Sequence, residues 1–412
     1  MAILVQKFGG TSVANTERIR NVATLVEQAV ASGNKIAVVV SAMAGTTDQL
    51  AAWCAELGAS TSSMSPMEAD TVLASGEQIV AGLLAITLHA QGIPARSYMG
   101  WQLPIHTDGN HRRAAILDID TRSILSGFER GEVAIVSGFQ GIAPHQRIST
   151  LGRGGSDLSA VALAVALSAD ACDIYTDVPG IYSCDPRRVP RAQLLPCITY
   201  EEMLEMAAAG AKVLHTRAVQ LAMRERVKLR VLSSFTDHPG TWVFGMIQKG
   251  ETMEKYAVTG LAYSLGETGF GLNGLKPQAL IEIIDLLARQ TIHIDMLVQG
   301  GTSLSLTVPT AEAVQTQTLL EEYAARTDAS FTALPPIAKI SAVGIGMPGH
   351  TEIARRMLQT LAAEAIPVLV MTTSEIRVSV LISAQHVDQA LKALHSTFGL
   401  DQAYNQEDSG NE

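Results

Sequence analysis

Leu151-Gly152-Arg153-Gly154-Gly155-Ser156-Asp157, followed at once by the nearly all-apolar stretch 158–169, is the segment whose reading decides the fold. The stretch 158–169 has the length of a helix but no polar face, so it has to be buried on every side. Three glycines and an arginine directly before a helix start form an anion cradle. Glycine lets the backbone approach a ligand closely, and the first turn of a helix exposes unpaired N–H groups. Asp157, at the helix start, suits either a cap or a contact to a substrate amine. The structural alternative is a flexible loop closed by a capping aspartate.

Working outward, residues 172–175 form a short strand after this helix, and 131–137 hold another before the loop. Residues 36–40 are continuously apolar, as a strand covered on both faces should be. Residues 3–8 read as a first strand and run into Gly9-Gly10-Thr11-Ser12. Ile19, Val22, Ala23, Val26, Ala29 and Val30 then recur at helical spacing, with Gly33 as a stop. Thr199 and Glu202 make a capping-box pair ahead of a helix running toward Lys212. Strands separated by helices predict an α/β domain with a largely parallel sheet and helices on both faces. Sites in such sheets lie outside the carboxyl ends of the strands.

The last third contains a repeat. Residues 287–309, LARQTIHIDMLVQGGTSLSLTVP, align without a gap on 361–383, LAAEAIPVLVMTTSEIRVSVLIS, at an offset of 74 residues. Leu287, Ala288, Ile292, Ile294, Leu304, Leu306 and Val308 fall on Leu361, Ala362, Ile366, Val368, Val378, Val380 and Ile382. Each copy reads helix, strand, turn, strand, with a second helix after it, so two similar α+β modules of about 70 residues are expected. Pro335-Pro336 separates them, and the polar stretch 245–254 separates both from the first part.

Composition narrows the function classes. The chain has 412 residues, of which 47% are hydrophobic, enough for two or three cored domains. Thirty Lys and Arg against forty Asp and Glu give a formal charge of −10. That argues against nucleic acid or an anionic membrane as the main partner. No uninterrupted apolar run approaches the roughly 20 residues that span a bilayer. The first seven residues lack the layout of a signal peptide and read as a strand. Four scattered cysteines, Cys54, Cys172, Cys184 and Cys197, form no CxxC pair, so neither disulfides nor a zinc site is expected, and a cytoplasmic location fits.

Lys7-Phe8-Gly9-Gly10-Thr11-Ser12 adds a point charge to a glycine turn at a strand end. It matches neither GxxxxGK[ST] nor GxGxxG, and taken alone it also describes a plain turn. Tyr175-Thr176-Asp177-Val178-Pro179-Gly180-Ile181-Tyr182, leading to Asp185-Pro186-Arg187, suits a nucleotide base or an ordinary loop. Gly76-Glu77 opens a helical stretch. No Ser-His-Asp ordering or HExxH helix is present, and the histidines, His106 and His215 included, read as packing or surface residues. The set points away from hydrolysis and toward phosphate binding with charge neutralisation.

At this point a resemblance becomes specific. Lys7 to Ser12, Val40-Ser41-Ala42-Met43, Ser75-Gly76-Glu77, Gly138-Phe139-Gln140-Gly141, Thr150 with the glycine loop to Asp157, Tyr175-Thr176-Asp177, Asp185-Pro186-Arg187 and Gly210-Ala211-Lys212-Val213-Leu214-His215 occur in the order of aspartate kinases. The C-terminal duplication resembles the paired ACT domains of the same family. The resemblance implies a three-layer αβα sandwich, the amino-acid-kinase fold, followed by two α+β, ferredoxin-like ACT modules. The boundaries expected are a catalytic domain at 1–245, a linker at 246–254, a first strand plus ACT module at 255–334, a second module at 335–405 and a polar tail at 406–412. The first module is expected to be inserted into the second, so that a strand near 256–263 pairs with residues after Pro336.

The reaction implied is transfer of the ATP γ-phosphate to the side-chain carboxylate of L-aspartate, the first step toward lysine, threonine and methionine. By resemblance, Lys7, Arg153 and Asp157 are catalytic. Ser41, Thr47, Glu77, Arg153, Gly154, Gly155 and Ser156 bind aspartate. Lys7, Phe8, Gly9, Gly10, Thr176, Asp177, Tyr182, Asp185, Arg187 and Lys212 bind ATP. Mg²⁺ is implied, held by phosphates, with no protein metal site. Asn273, Gly274, Gln278, Asp295, Gln299 and Thr373 match effector positions for lysine or threonine, and a homodimer or tetramer through the ACT modules is implied. Three departures stand out. Thr216 replaces the proline usual after the histidine. Leu272 to Pro277 lacks the Asp-Arg pair of the usual loop, and Gly346-Met347-Pro348-Gly349-His350 departs from GMRSHPG. Feedback by lysine and threonine is therefore expected to be blunted or retuned. Another ACT-linked amino-acid kinase and a non-catalytic amino-acid sensor are the alternatives.

Overall fold

Residues 36–40 carry no polar side chain, and the strand they belong to, Lys35–Val40, runs inside an eight-stranded sheet with its side chains buried on both faces. The computed structural model describes residues 1–58, 65–211, 213–245, 258–345 and 350–402, the side chain of residue 350 aside. The expected linker 246–254, the tail 406–412, Lys212 and the loop 346–349 lie outside them.

The described residues form two compact units. The first holds Met1–Ile181, Leu194–Ala207 and residues 213–245. Its main sheet runs in the order Cys197–Thr199, Thr241–Phe244, Leu229–Ser233, Ala171–Thr176, Ile3–Phe8, Lys35–Val40, Val133–Ser137, Ala95–Tyr98. Every neighbouring pair is parallel except Leu229–Ser233 with Thr241–Phe244. The register matters for the site. Phe8 lies beside Val40 and Tyr175, and Val40 beside Ser137, so the turns after these strands leave from one edge. A second, four-stranded sheet, Ile116–Ile119, Ile105–Thr107, Gln140–Ala143 and Arg147–Thr150, carries the chain into the 151–155 loop.

Helices cover this sheet for reasons visible in their sequences. Thr16–Ala31 buries Ile19, Val22, Ala23 and Val26 and begins at Asn15, whose side chain accepts the Arg18 amide hydrogen. Gly155–Ala166 buries every residue from Gly155 to Ala164, as its lack of a polar face requires. Thr199 and Glu202 form the reciprocal capping box ahead of Tyr200–Ala208. The stretch Ser65–Ala90 is long and apolar enough to cross a bilayer by length and composition, although Glu68, Asp70 and Glu77 interrupt its apolar run. Half of its most apolar window is buried inside the protein, and Asp70 and Glu77 lie buried within the stretch.

The second unit contains two antiparallel sheets of four strands. One is ordered Gly260–Ser264, Ile337–Val343, Arg377–Ser383, Val370–Ser374, and the other Met296–Gly300, Ser303–Pro309, Glu267–Asn273, Ser330–Ala333. The strand that precedes the first repeat thus pairs with the second. Each copy also carries two helices: Ala279–Arg289 and Ala313–Thr327, then His350–Ala363 and Val387–Thr397. The buried Lys339 links the two sheets, its ammonium 2.6 Å from Asp295 Oδ2 and 3.3 Å from Glu267 Oε1. Tyr182–Gln193 belongs to this unit rather than to the first. Cys184 and Val189 enter its apolar core, and Ser183 Oγ lies 2.9 Å from the buried His395 Nε2.

Candidate active site

The first strand ends by delivering Lys7 and Phe8 to the carboxyl edge of the sheet. Phe8 stacks on Tyr175 at 4.6 Å between ring centroids, which fixes the strand end below the glycine turn. The Gly9 amide donates to the Tyr175 carbonyl, and Gly10 enters the short helix Gly10–Val13. A side chain at Gly10 would bring its Cβ to 2.9 Å from the Ala42 carbonyl oxygen, so the close approach of the 41–44 turn requires glycine there.

The 151–157 loop meets this turn from the other side. Lys7 Nζ lies 2.6 Å from Asp157 Oδ1, with both side chains about seven-eighths buried at 12% exposure. Gly154 has φ +72°, and a Cβ there would fall 2.2 Å from the His215 ring, so the left-handed turn and the imidazole packing both demand glycine. Gly155 and Ser156 are buried at the helix start. Arg153 stands exposed at the loop tip, and its guanidinium has no ion pair among the described residues.

Glu77 comes from the first turn of Ser75–Ala90. It is 3% exposed, its Oε1 accepts the Ala42 amide hydrogen at 3.0 Å, and its Oε2 has no partner. Burial pushes its carboxyl up to about 7, against the lowering effect of the Ala42 hydrogen bond. Ser41 donates its amide to the Phe8 carbonyl, and Thr47 lies in the first turn of Thr46–Glu56. Thr176 ends the central strand Ala171–Thr176 and the exposed Asp177 follows it, the two joined by a 3.1 Å hydrogen bond between their side chains. The first unit thus assembles Lys7, Phe8, Gly9, Gly10, Ser41, Glu77, Arg153 to Asp157 and Thr176 around strand ends and helix starts.

Tyr182, Asp185 and Arg187 are in the second unit. There Asp185 accepts from the Arg187 guanidinium and from Tyr263 Oη. Burial raises its carboxyl, but these bonds outweigh it and hold it below the usual range. Asn273, Gly274 and Gln278 lie at the end of Glu267–Asn273 and before Ala279–Arg289, and Gln299 and Thr373 on the strands that follow each first helix. Asp295, one residue before Met296–Gly300, accepts from Lys339 with both oxygens.

Some site neighbours escaped the sequence reading. His215, read as packing or surface, lies against Gly154 and caps Thr216–Glu225 by accepting the Arg217 amide hydrogen. Burial lowers its imidazole below the usual value. Thr216 is the first helical residue, a position where a proline's missing N–H costs little, which explains how the two interchange. Phe139 holds φ +68°, a strained value for a non-glycine, with its carbonyl accepting from Leu151. Only the glycine beside it in the sequence hinted at such a turn.

Residues 2–233 match the amino acid kinase family and residues 340–398 an ACT domain. The chain is 42% identical over 409 residues to an aspartate kinase of Pseudomonas putida, covering 97% of this chain and 98% of that one. The chain belongs to the aspartate kinase family. It is also 41% identical to an aspartokinase of Thermus thermophilus, over 98% of this chain and 100% of the relative. The fold is similar to that of E. coli aspartokinase III solved with aspartate and ADP, with TM-score 0.78, 26% identity, and 96% and 99% of the two chains covered. Among the described residues no group of three or more His, Cys, Asp or Glu is placed to hold a metal.

The raised Glu77 carboxyl yields a signed prediction. A carboxyl whose pKa is higher folded than unfolded favours the folded state at low pH. That advantage is complete below about 4.5 and is lost as pH climbs to about 7. Glu77→Gln removes this dependence. Without ligands, its thermal midpoint relative to the native chain should rise between pH 5 and pH 8, by an amount corresponding to at most roughly 3 kcal/mol. A pH-independent difference in midpoint contradicts the assignment.

Proposed function

We propose that the protein transfers the γ-phosphoryl group of ATP to the side-chain carboxylate of L-aspartate, giving 4-phospho-L-aspartate. The observation that carries this reading is the Lys7–Asp157 ion pair, which joins the two glycine turns at the carboxyl edge of the sheet. The nucleophile is ionised at neutral pH, since its unperturbed pKa is about 4, so no general base is needed. The obstacle is repulsion between that carboxylate and the phosphates, and phosphoryl transfer is chiefly positioning and charge stabilisation. Lys7 supplies the positive charge, with the Gly9–Gly10 turn beneath it. Asp157 keeps the ammonium in place before substrates arrive.

Arg153 suits a bidentate hold on the α-carboxylate, which a lysine would make less directionally. The unpartnered Glu77 Oε2 suits the α-ammonium. An ammonium there favours the ionised carboxyl, so aspartate binding near neutral pH should expel a proton. Gly154, Gly155, Ser156, Ser41 and Thr47 complete the aspartate side. Thr176, Asp177 and Lys212 are assigned to the nucleotide on resemblance. Mg²⁺ would come with the phosphates and screen their charge. A cytoplasmic enzyme serving lysine, threonine and methionine synthesis is the setting that fits. Exposed Ile281, Ile284 and Val314 on the helices of the first ACT module favour assembly of copies through these modules.

A second observation concerns regulation. Residues 273–278 offer no acidic side chain, and the nearby acids Asp295 and Glu267 both face Lys339. A missing charge-assisted contact lowers effector affinity by about 10- to 150-fold, which supports blunted feedback. Initial rates with lysine and threonine, singly and together, should show little inhibition below millimolar levels. Strong submillimolar inhibition removes this reading and leaves the kinase assignment intact.

Two substitutions test the chemistry through ATP-dependent aspartyl hydroxamate formation. Arg153→Ala should lower kcat/KM for aspartate at least about tenfold, because a charge-assisted bidentate contact contributes roughly 1.5–3 kcal/mol. The KM for ATP should change less. A collapse of ATP binding with an unchanged aspartate KM overturns the role given to Arg153. Lys7→Ala should reduce kcat by about 10²-fold, since its charge matters most during transfer. Near-normal turnover would reduce the first glycine turn to a structural element.

A further inference from the structure

Asp70 is fully buried in the helix Ser65–Leu73, yet no lysine or arginine side chain pairs with it among the described residues. Its carboxylate instead collects four hydrogen bonds from two segments distant in sequence. Oδ2 accepts from the Thr150 amide at 3.0 Å, the Arg112 amide at 3.1 Å and His111 Nδ1 at 2.8 Å. Oδ1 accepts from the Thr150 hydroxyl at 2.6 Å. A carboxylate can only accept, so the imidazole donates here. A buried carboxyl group is tolerated when its lone pairs are filled in this way.

The two clamped segments bear on the loop assigned to aspartate. Thr150 is the residue at which the strand Arg147–Thr150 opens into the 151–155 loop. The turn at 109–113 lies against that loop, since a Cβ on Gly152 would come within 2.8 Å of the Arg112 carbonyl oxygen. Arg112 itself has φ +65°, a conformation that an arginine holds only when its surroundings enforce it. Asp70 accepts the amide hydrogen of that residue. The Asp70 carbonyl also accepts from Ala74, immediately before the helix that presents Glu77. Asp70 therefore stands where the Arg153 loop, the turn under it and the start of the Glu77 helix converge.

We propose that Asp70 is a positioning residue for the amino-acid substrate, fixing the Thr150 end of the loop and thereby the placing of Arg153. The proposal rests on the assignment of that loop to aspartate. Asp70 touches no reacting group, so its effect falls on aspartate binding and not on the nucleotide. A small displacement of positioning groups costs up to about 10²-fold in rate, so the effect is measurable.

The test is steady-state kinetics on the full chain with Asp70→Asn, Thr150→Val, Thr150→Ser and Arg153→Ala. Asp70→Asn keeps the shape but removes the charge and one acceptor: its remaining oxygen can serve the three N–H donors, while its NH₂ takes the place opposite the Thr150 hydroxyl, which must turn to accept. Its aspartate KM should rise about tenfold or more while the ATP KM stays within about twofold. Thr150→Val, which loses only the hydroxyl contact, should show a smaller rise, and Thr150→Ser should restore native values. If Asp70→Asn does not fold, the two Thr150 variants decide. An unchanged aspartate KM in folded Asp70→Asn, or in Thr150→Val where the former is unfolded, overturns the proposal, as do equal rises in both KM values. If Arg153→Ala raises the aspartate KM while these variants do not, only the role of Asp70 falls. If Arg153→Ala also leaves it unchanged, the assignment of the loop falls and the proposal with it.

Discussion

The contact between Lys7 and Asp157 joins the end of the first strand to the start of the most deeply buried helix. Neither charge is well hydrated there. Taking a lysine out of water is costly unless an opposite charge replaces the solvent, and Asp157 does so at 2.6 Å. The rest of the first unit brings these two groups together. The apolar strands 3–8, 35–40 and 171–176 must lie side by side for Lys7 to reach the sheet edge beside the helix. The helix must in turn be buried on all sides for Asp157 to sit low enough to meet it.

Around this pair two further side chains are left incompletely partnered among the described residues. Glu77 has one oxygen on a backbone amide and one with no partner, and its carboxyl is held near neutrality by burial. Arg153 is exposed and unpaired among the described residues. A ligand carrying an ammonium, a carboxylate and, on its partner, phosphates would supply the missing opposite charges. The negative net charge of the whole chain does not oppose this, because local groups within a Debye length of about 8 Å dominate in a partly buried site.

Much of this was legible in the sequence where the cause is local. The glycine turns were visible because left-handed backbone and close approach leave glycine as the residue that fits, as at Gly10 and Gly154. The C-terminal repeat was visible because its strands and helices repeat the same apolar spacing. Less was legible where the cause is a contact between distant segments. Nothing near Glu77 in the chain announces its burial, which comes from the 41–43 turn laid across it. Asp70 looks like an ordinary helical acid until Thr150 and Arg112 are brought to it. The assignment of Tyr182–Gln193 to the second unit follows from Cys184 and Val189 packing into a core more than 60 residues further along, which no local pattern encodes.

The central claim is that Lys7 and Asp157 act as one unit, the acid holding the ammonium where the phosphate is to be met. A double-mutant cycle on kcat/KM with Lys7→Met and Asp157→Asn tests it most directly. Residues that act together are non-additive, so the double variant should be no slower than the worse single one, with a coupling of at least about 1 kcal/mol. Losses that multiply in the double variant would show two independent residues and contradict the account.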